Sequence, residues 1–94
     1  MRVKVRFFTR LREITDKREE EAEVEDDITL QDLLKLLEEK YGSEFTAYIR
    51  NKWGELRGDL QYLIDGRSVV SLQGLNTRLK EGDSIAIVPP VGGG

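Results

Sequence analysis

The group in this chain best suited to covalent chemistry is the α-carboxylate of Gly94, at the end of Pro89-Pro90-Val91-Gly92-Gly93-Gly94. The two prolines fix φ and cannot continue a strand ladder, so they hold the segment extended. The glycines carry no Cβ, so their backbone can pass through a channel too narrow for any side chain. Six extended residues reach about 20 Å, far enough to enter a partner's buried active site. A C-terminal carboxylate with a pKa near ~3.5 is ionised at neutral pH and is a poor acyl donor until another enzyme activates it. Transfer to AMP would turn it into a mixed anhydride open to attack by sulfur or an amine. The chain has no GxxxxGK[ST] run and no Gly-rich strand-to-helix turn to hold ATP. It is therefore expected to be a substrate and carrier that binds no cofactor or metal itself, the ATP being used by a partner activating enzyme. The competing reading of the same residues is a floppy, inert end.

Composition narrows the field further. Among 94 residues there is no cysteine and no histidine, which excludes a disulfide framework, a Cys/His zinc site, a cysteine nucleophile and a histidine base. Eighteen acidic against fifteen basic side chains give a net charge of -3, which argues against a nucleic-acid partner. The longest apolar run, Ile85-Ala86-Ile87-Val88, is far short of a membrane span. The start, Met1-Arg2-Val3-Lys4, has no hydrophobic signal core. A soluble, cytoplasmic protein with no membrane partner is the expectation.

The elements that must position the tail follow from periodicity. Val3, Val5 and Phe7 alternate with Arg2, Lys4 and Arg6, the period of a half-buried strand. Phe8 falls out of that phase and either breaks the register or faces solvent. Residues 9–15 form a short helical turn or a loop. Glu21-Ala22-Glu23-Val24-Glu25 reads as a second strand whose glutamates pair with Arg2, Lys4 and Arg6 across the sheet. The run Glu19-Glu20-Glu21 scatters its oxygens and reads as a solvated face. Thr29 and Asp32 have the spacing of a capping box, and Leu30, Leu33, Leu34, Leu37 and Tyr41 form one stripe of an amphipathic helix that Gly42 ends. Phe45, Tyr48, Ile49 and Trp53 suggest a short second helix and a small satellite core. Strands are expected at Leu60–Ile64, Ser68–Leu72 and Ser84–Val88, with a turn at Asp65-Gly66 and a loop over Gly74–Leu79.

This order predicts an α+β roll of β-grasp, or ubiquitin-like, type: a mixed sheet with one main amphipathic helix packed across it. Residues 1–88 are the single domain. Residues 89–94 are an extended, flexible tail leaving a last strand that lies parallel to the first, in the centre of the sheet.

The end, Gly82-Asp83-Ser84-Ile85-Ala86-Ile87-Val88-Pro89-Pro90-Val91-Gly92-Gly93-Gly94, resembles the C-terminus of the MoaD/ThiS group of ubiquitin-like sulfur carriers, above all the small subunit of molybdopterin synthase. Val3-Lys4-Val5-Arg6-Phe7-Phe8, Leu11-Arg12-Glu13 and Leu63-Ile64-Asp65-Gly66-Arg67 are similar too, so the resemblance spans nearly the whole chain. It implies that a ubiquitin-activating-type enzyme adenylates Gly94 and that sulfur is then loaded there as a thiocarboxylate. The tail (Pro89, Pro90, Val91, Gly92 and Gly93) then enters the large synthase subunit, which builds the dithiolene for molybdenum or tungsten. Gly92 departs from the family, whose members commonly carry Ala, Thr or Ser there. Residues 43–59 are the least family-like part. Ordering four tail residues costs on the order of 4 to 8 kcal/mol, so an anchoring surface is needed. The resemblance points to Phe8, Val69 and Val88 as a hydrophobic patch; alternatively, Phe8 and Val69 complete the core. Arg12 lies outside the cross-strand pairing of Arg2, Lys4 and Arg6 and is a candidate partner contact. Two other fates of the activated carboxylate are weighed: sulfur delivery to tRNA or a thiamine precursor, or conjugation to lysines as a protein modifier. A non-catalytic β-grasp binding module with an inert tail is the reading from a different class.

Overall fold

Alternation and turn chemistry build the sheet. The computed structural model describes residues 1–90. Strand β1 (Arg2–Arg6) buries Val3 and Val5 and turns Arg2, Lys4 and Arg6 to the other face. Thr9, at φ +47°, bends the chain into helix α1 (Arg10–Thr15), whose Leu11 is fully buried. Strand β2 (Glu19–Glu23) returns antiparallel to β1. Helix α2 (Leu30–Tyr41) starts at the expected box: the Asp32 N–H donates to Thr29 Oγ1 at 3.2 Å and the Thr29 N–H to the Asp32 carboxylate at 3.2 Å. It ends at Gly42, whose φ of +85° suits a residue without Cβ, and helix α3 (Ser43–Ile49) follows directly.

Strand β3 (Gln61–Ile64) and the two-residue β4 (Arg67–Ser68) form a hairpin through Asp65 and Gly66, both at positive φ as a primed two-residue turn requires. Strand β5 (Ser84–Val88) closes the sheet in the order β2-β1-β5-β3-β4, parallel to β1 and antiparallel to β3. This is the β-grasp arrangement. Leu30, Leu33, Leu34 and Leu37 of α2 lie in one core with Val3, Val5, Phe7, Ile85 and Ile87 of the two central strands. Phe7 meets Tyr41 and Phe45 edge-on at 5.9 and 6.3 Å between ring centres.

Four expectations are corrected. First, β2 lies two residues earlier than the alternation of Glu21–Glu25 suggests, so the partners of Arg2, Lys4 and Arg6 are Glu23, Glu21 and Glu19. Second, Glu20 is not on a solvated face. With Glu19 and Glu21 outward, the strand's period of two turns Glu20 inward; its side chain is 6% exposed and accepts hydrogen bonds from Lys40 Nζ and Tyr41 Oη. Third, the strand expected over Ser68–Leu72 stops at Ser68, whose hydroxyl accepts from the Val70 N–H and starts a 3₁₀ turn, Val69–Ser71. A second 3₁₀ turn, Gly74–Asn76, interrupts the predicted loop. Fourth, there is no satellite core: Phe45 belongs to the main one and Trp53 is 68% exposed. The Asn51 side-chain oxygen accepts from the Trp53 and Glu55 N–H groups, closing that loop on its own backbone and leaving the indole outside.

Candidate functional site: the end of the central strand

Because β5 lies between β1 and β3, both of its edges are paired, with β1 as far as Ala86 and with β3 as far as Val88. Ile85 and Ile87 point into the core, while Ser84, Ala86 and Val88 lie on the face away from the helices. Val88 is opposite Gln61, and Ala86 lies between Arg6 on one side and Leu63 on the other. The chain therefore passes from Val88 into Pro89 and Pro90, both half-buried, at a position the sheet fixes. Val91, Gly92, Gly93 and Gly94 lie outside the described residues.

The open face beside this exit is apolar with a cationic rim. Continuing the parallel register from Arg6 and Ala86 brings Phe8 to the level of Val88. Phe8 is half-buried, and two guanidinium groups lie over its ring, Arg6 at 5.5 Å and Arg12 at 5.4 Å from the ring centre. Arg12 is itself fixed, since its Nε donates to the Phe7 carbonyl at 2.9 Å. Cations so placed hold the aromatic ring and put positive charge beside it. Across β5, Leu63 is half-buried on the same face, opposite Ser68 of β4. In the segment before β3, Arg57 and Asp59 make a two-bonded pair at 2.9 Å each. The pair's hydrogen bonds hold the Arg57 guanidinium above, and the Asp59 carboxyl below, their ordinary ranges.

The structure thus brings Phe8, Val88, Arg12, Pro89 and Pro90 to one end of the sheet. Val69 does not join them. It is 5% exposed and packs in the core, because the 3₁₀ turn that replaces the expected strand directs its side chain inward and leaves the neighbouring Val70 89% exposed. Leu63 was missed, although its signal was in the sequence: Tyr62 and Ile64 take the inward positions of β3, so an apolar residue between them faces out. This surface can bind and orient. Among the described residues no group of three or more Asp or Glu side chains is placed to hold a metal ion, and no helix is long and apolar enough to cross a membrane.

Comparison with known proteins matches this geometry. The model of the ThiS family fits residues 5–94. The chain is 36% identical to small archaeal modifier protein 3 of Haloferax volcanii over all of both chains. It is 33% identical to the molybdopterin synthase sulfur carrier subunit of Drosophila yakuba, covering 98% of this chain and 90% of that protein. The solution structure of small archaeal modifier protein 1 from Methanosarcina acetivorans superposes with a TM-score of 0.83 at 36% identity, over 99% of this chain and 96% of that one.

Proposed function

The chain belongs to the ThiS family, and on that premise we propose that it carries sulfur on the carboxylate of Gly94 for molybdenum or tungsten cofactor synthesis. A ubiquitin-activating-type partner binds ATP; the Gly94 carboxylate attacks the α-phosphorus and pyrophosphate leaves. Hydrosulfide then attacks the acyl carbon, AMP leaves, and loss of the S–H proton gives the thiocarboxylate. Pro89 through Gly93 thread the loaded terminus into the large subunit of molybdopterin synthase, where the sulfur passes to the pterin precursor. With no cysteine in the chain, the sulfur that the activated Gly94 receives comes from a partner.

The observation that supports this reading best is the anchoring of β5. Its central place in the sheet makes the exit at Pro89 a fixed point beside the surface of Phe8, Leu63 and Val88. Docking of those half-buried apolar side chains offsets the cost of ordering the tail, at roughly 25 cal/mol per Å² of apolar surface covered. Arg6 and Arg12 flank the patch and suit an acidic rim on the partner.

A second reading has its own support, the likeness over the full length of both chains to a small archaeal modifier protein. There the same acyl-adenylate is attacked by a lysine ε-amine, AMP leaves, and an isopeptide bond joins Gly94 to the target. The activation step is common to both. A pull-down with the intact chain distinguishes them: retention of a molybdopterin synthase large subunit, lost in Val88→Asp, supports the first reading. Retention of an activating enzyme alone, with target lysines bearing the tryptic remnant Glu81–Gly94, moves the assignment to the second.

A further inference from the structure

The far edge of the sheet carries a second docking surface, distinct from the tail. Strand β2 forms that edge. Its backbone bonds to β1 use alternate residues: the Phe7 N–H donates to the Arg18 carbonyl at 2.8 Å, and Val24 exchanges bonds with Met1 at 2.8 and 2.7 Å. The antiparallel period then turns the N–H and C=O groups of Glu19, Glu21 and Glu23 the other way, where no strand lies among the described residues. Behind this edge, between β2 and α2, runs a groove of about 300 Å³ with an apolar floor of Ala22, Val24, Leu33, Leu36 and Leu37, its walls carrying the Glu20–Lys40 ion pair and the stems of Glu21 and Glu23. Leu36 is 47% exposed, one of few large apolar side chains so open.

Charge says what fits there. Seven of the nine residues from Glu19 to Asp27 are acidic. On the open face, Glu19, Glu21 and Glu23 are met only from the β1 side: Arg2 reaches Glu23 at 2.9 Å and Glu21 at 3.5 Å, and Lys4 reaches Glu19 at 3.5 Å. Strand β1, which pairs with the inner edge, alternates basic and apolar residues as Arg2-Val3-Lys4-Val5-Arg6. A strand added at the outer edge meets the same demand, with apolar side chains toward the groove and basic ones toward the glutamates. The same charges disfavour a second copy of this chain, since pairing β2 with β2 sets glutamates against glutamates.

We propose that the free edge of β2 takes up, as a sixth strand, an extended segment of a partner protein in which apolar and basic residues alternate. This inference does not rest on the fate of Gly94. Strand β1 separates β2 from β5, so a partner held here leaves the tail free to enter another protein.

The test is a titration of the ¹⁵N-labelled full chain with a capped heptapeptide, Lys-Val-Arg-Val-Lys-Val-Arg, and with its counterpart bearing Glu at each basic position. Amide shifts and slowed hydrogen exchange are expected at Glu19, Glu21 and Glu23 with the basic peptide alone, weakening as salt rises. Glu21→Lys should weaken binding about fivefold, and Leu36→Ala about threefold or more. Both side chains are exposed, so both variants should keep the native spectrum. The proposal is overturned by an edge unaffected at millimolar peptide, as when the carboxylates serve only to repel other strands. An equal response to the acidic peptide, or shifts centred on Phe8 and Val88, overturns it too.

Discussion

Replacing Glu20 by alanine tests whether the inward carboxylate of β2 holds the sheet to the helix. The carboxylate accepts from Lys40 Nζ and Tyr41 Oη and lies 3.9 Å from Lys17 Nζ. Hydrogen bonds to charged groups contribute roughly 1.5 to 3 kcal/mol each. The Lys40 ammonium is half-exposed and regains water when its partner goes, so its share falls to about 1 kcal/mol. The Tyr41 hydroxyl is half-buried and keeps most of its loss, about 2 kcal/mol. The sum, about 3 kcal/mol, corresponds to a fall in Tm of roughly 12 to 24 °C for a domain of this size. Glu19→Ala, on the open face with one contact at 3.5 Å, should change stability by no more than ~0.5 kcal/mol.

The pH dependence of Glu20 gives a second readout. Burial alone pushes the carboxyl up, but the bonds from Lys40 and Tyr41 and the charge of Lys17 outweigh it and hold it below its ordinary value of 4.5. A depressed native pKa means that the unfolded chain binds the proton more readily, so stability rises with pH through this range. The contribution is complete above the ordinary carboxylate pKa and lost as pH falls through the native one. Glu20→Gln should therefore flatten part of the acid limb. Thermal and urea unfolding followed by circular dichroism from acid to neutral pH measures both. Equal stability of Glu20→Ala and Glu19→Ala at pH 7, or an unchanged acid limb in Glu20→Gln, would refute the reasoning.

Three further perturbations separate position from residue type. Thr29→Ala removes one half of the capping box of α2 and should cost about 0.5 to 2 kcal/mol in urea unfolding; Asp32, held below its ordinary range first by the Thr29 backbone N–H and then by the Thr29 side chain, keeps the first of these bonds. Trp53→Ala should shift unfolding by no more than ~0.5 kcal/mol despite the size of the side chain, because the indole is exposed; a loss above ~2 kcal/mol would restore the satellite core. Phe8→Ala should leave the fold intact and weaken large-subunit binding by on the order of tenfold in calorimetry, whereas Val69→Ala should lower stability by about 1 to 3 kcal/mol.

Most of the frame was legible because local signals agreed with the global fold. In α2 the leucine stripe, the capping box and Gly42 all mark the same helix. Asp65-Gly66 specifies its hairpin through backbone conformation alone. The register of β2 was hidden because an acidic residue fills an inward position, and its compensating partners, Lys40 and Tyr41, lie in an element twenty residues away. No periodicity carries that information. Val69 and Val70 are chemically identical neighbours, and only the 3₁₀ turn begun by Ser68 decides which is buried. Strand phase marks Phe8 and the resemblance marks Val88, while the phase of β3 marks Leu63 once Tyr62 and Ile64 are known to face the core.

The account rests on chemistry at the end of the chain, and intact mass spectrometry addresses that directly. The full chain is incubated with ATP, a cognate activating enzyme and a sulfur donor, then weighed whole and after trypsin. The account predicts a gain equal to one sulfur replacing one oxygen, confined to the peptide Glu81–Gly94 and absent when Gly94 is deleted. A mass that stays unchanged with every activating enzyme from the source cell, or a gain that persists without Gly94, would contradict it.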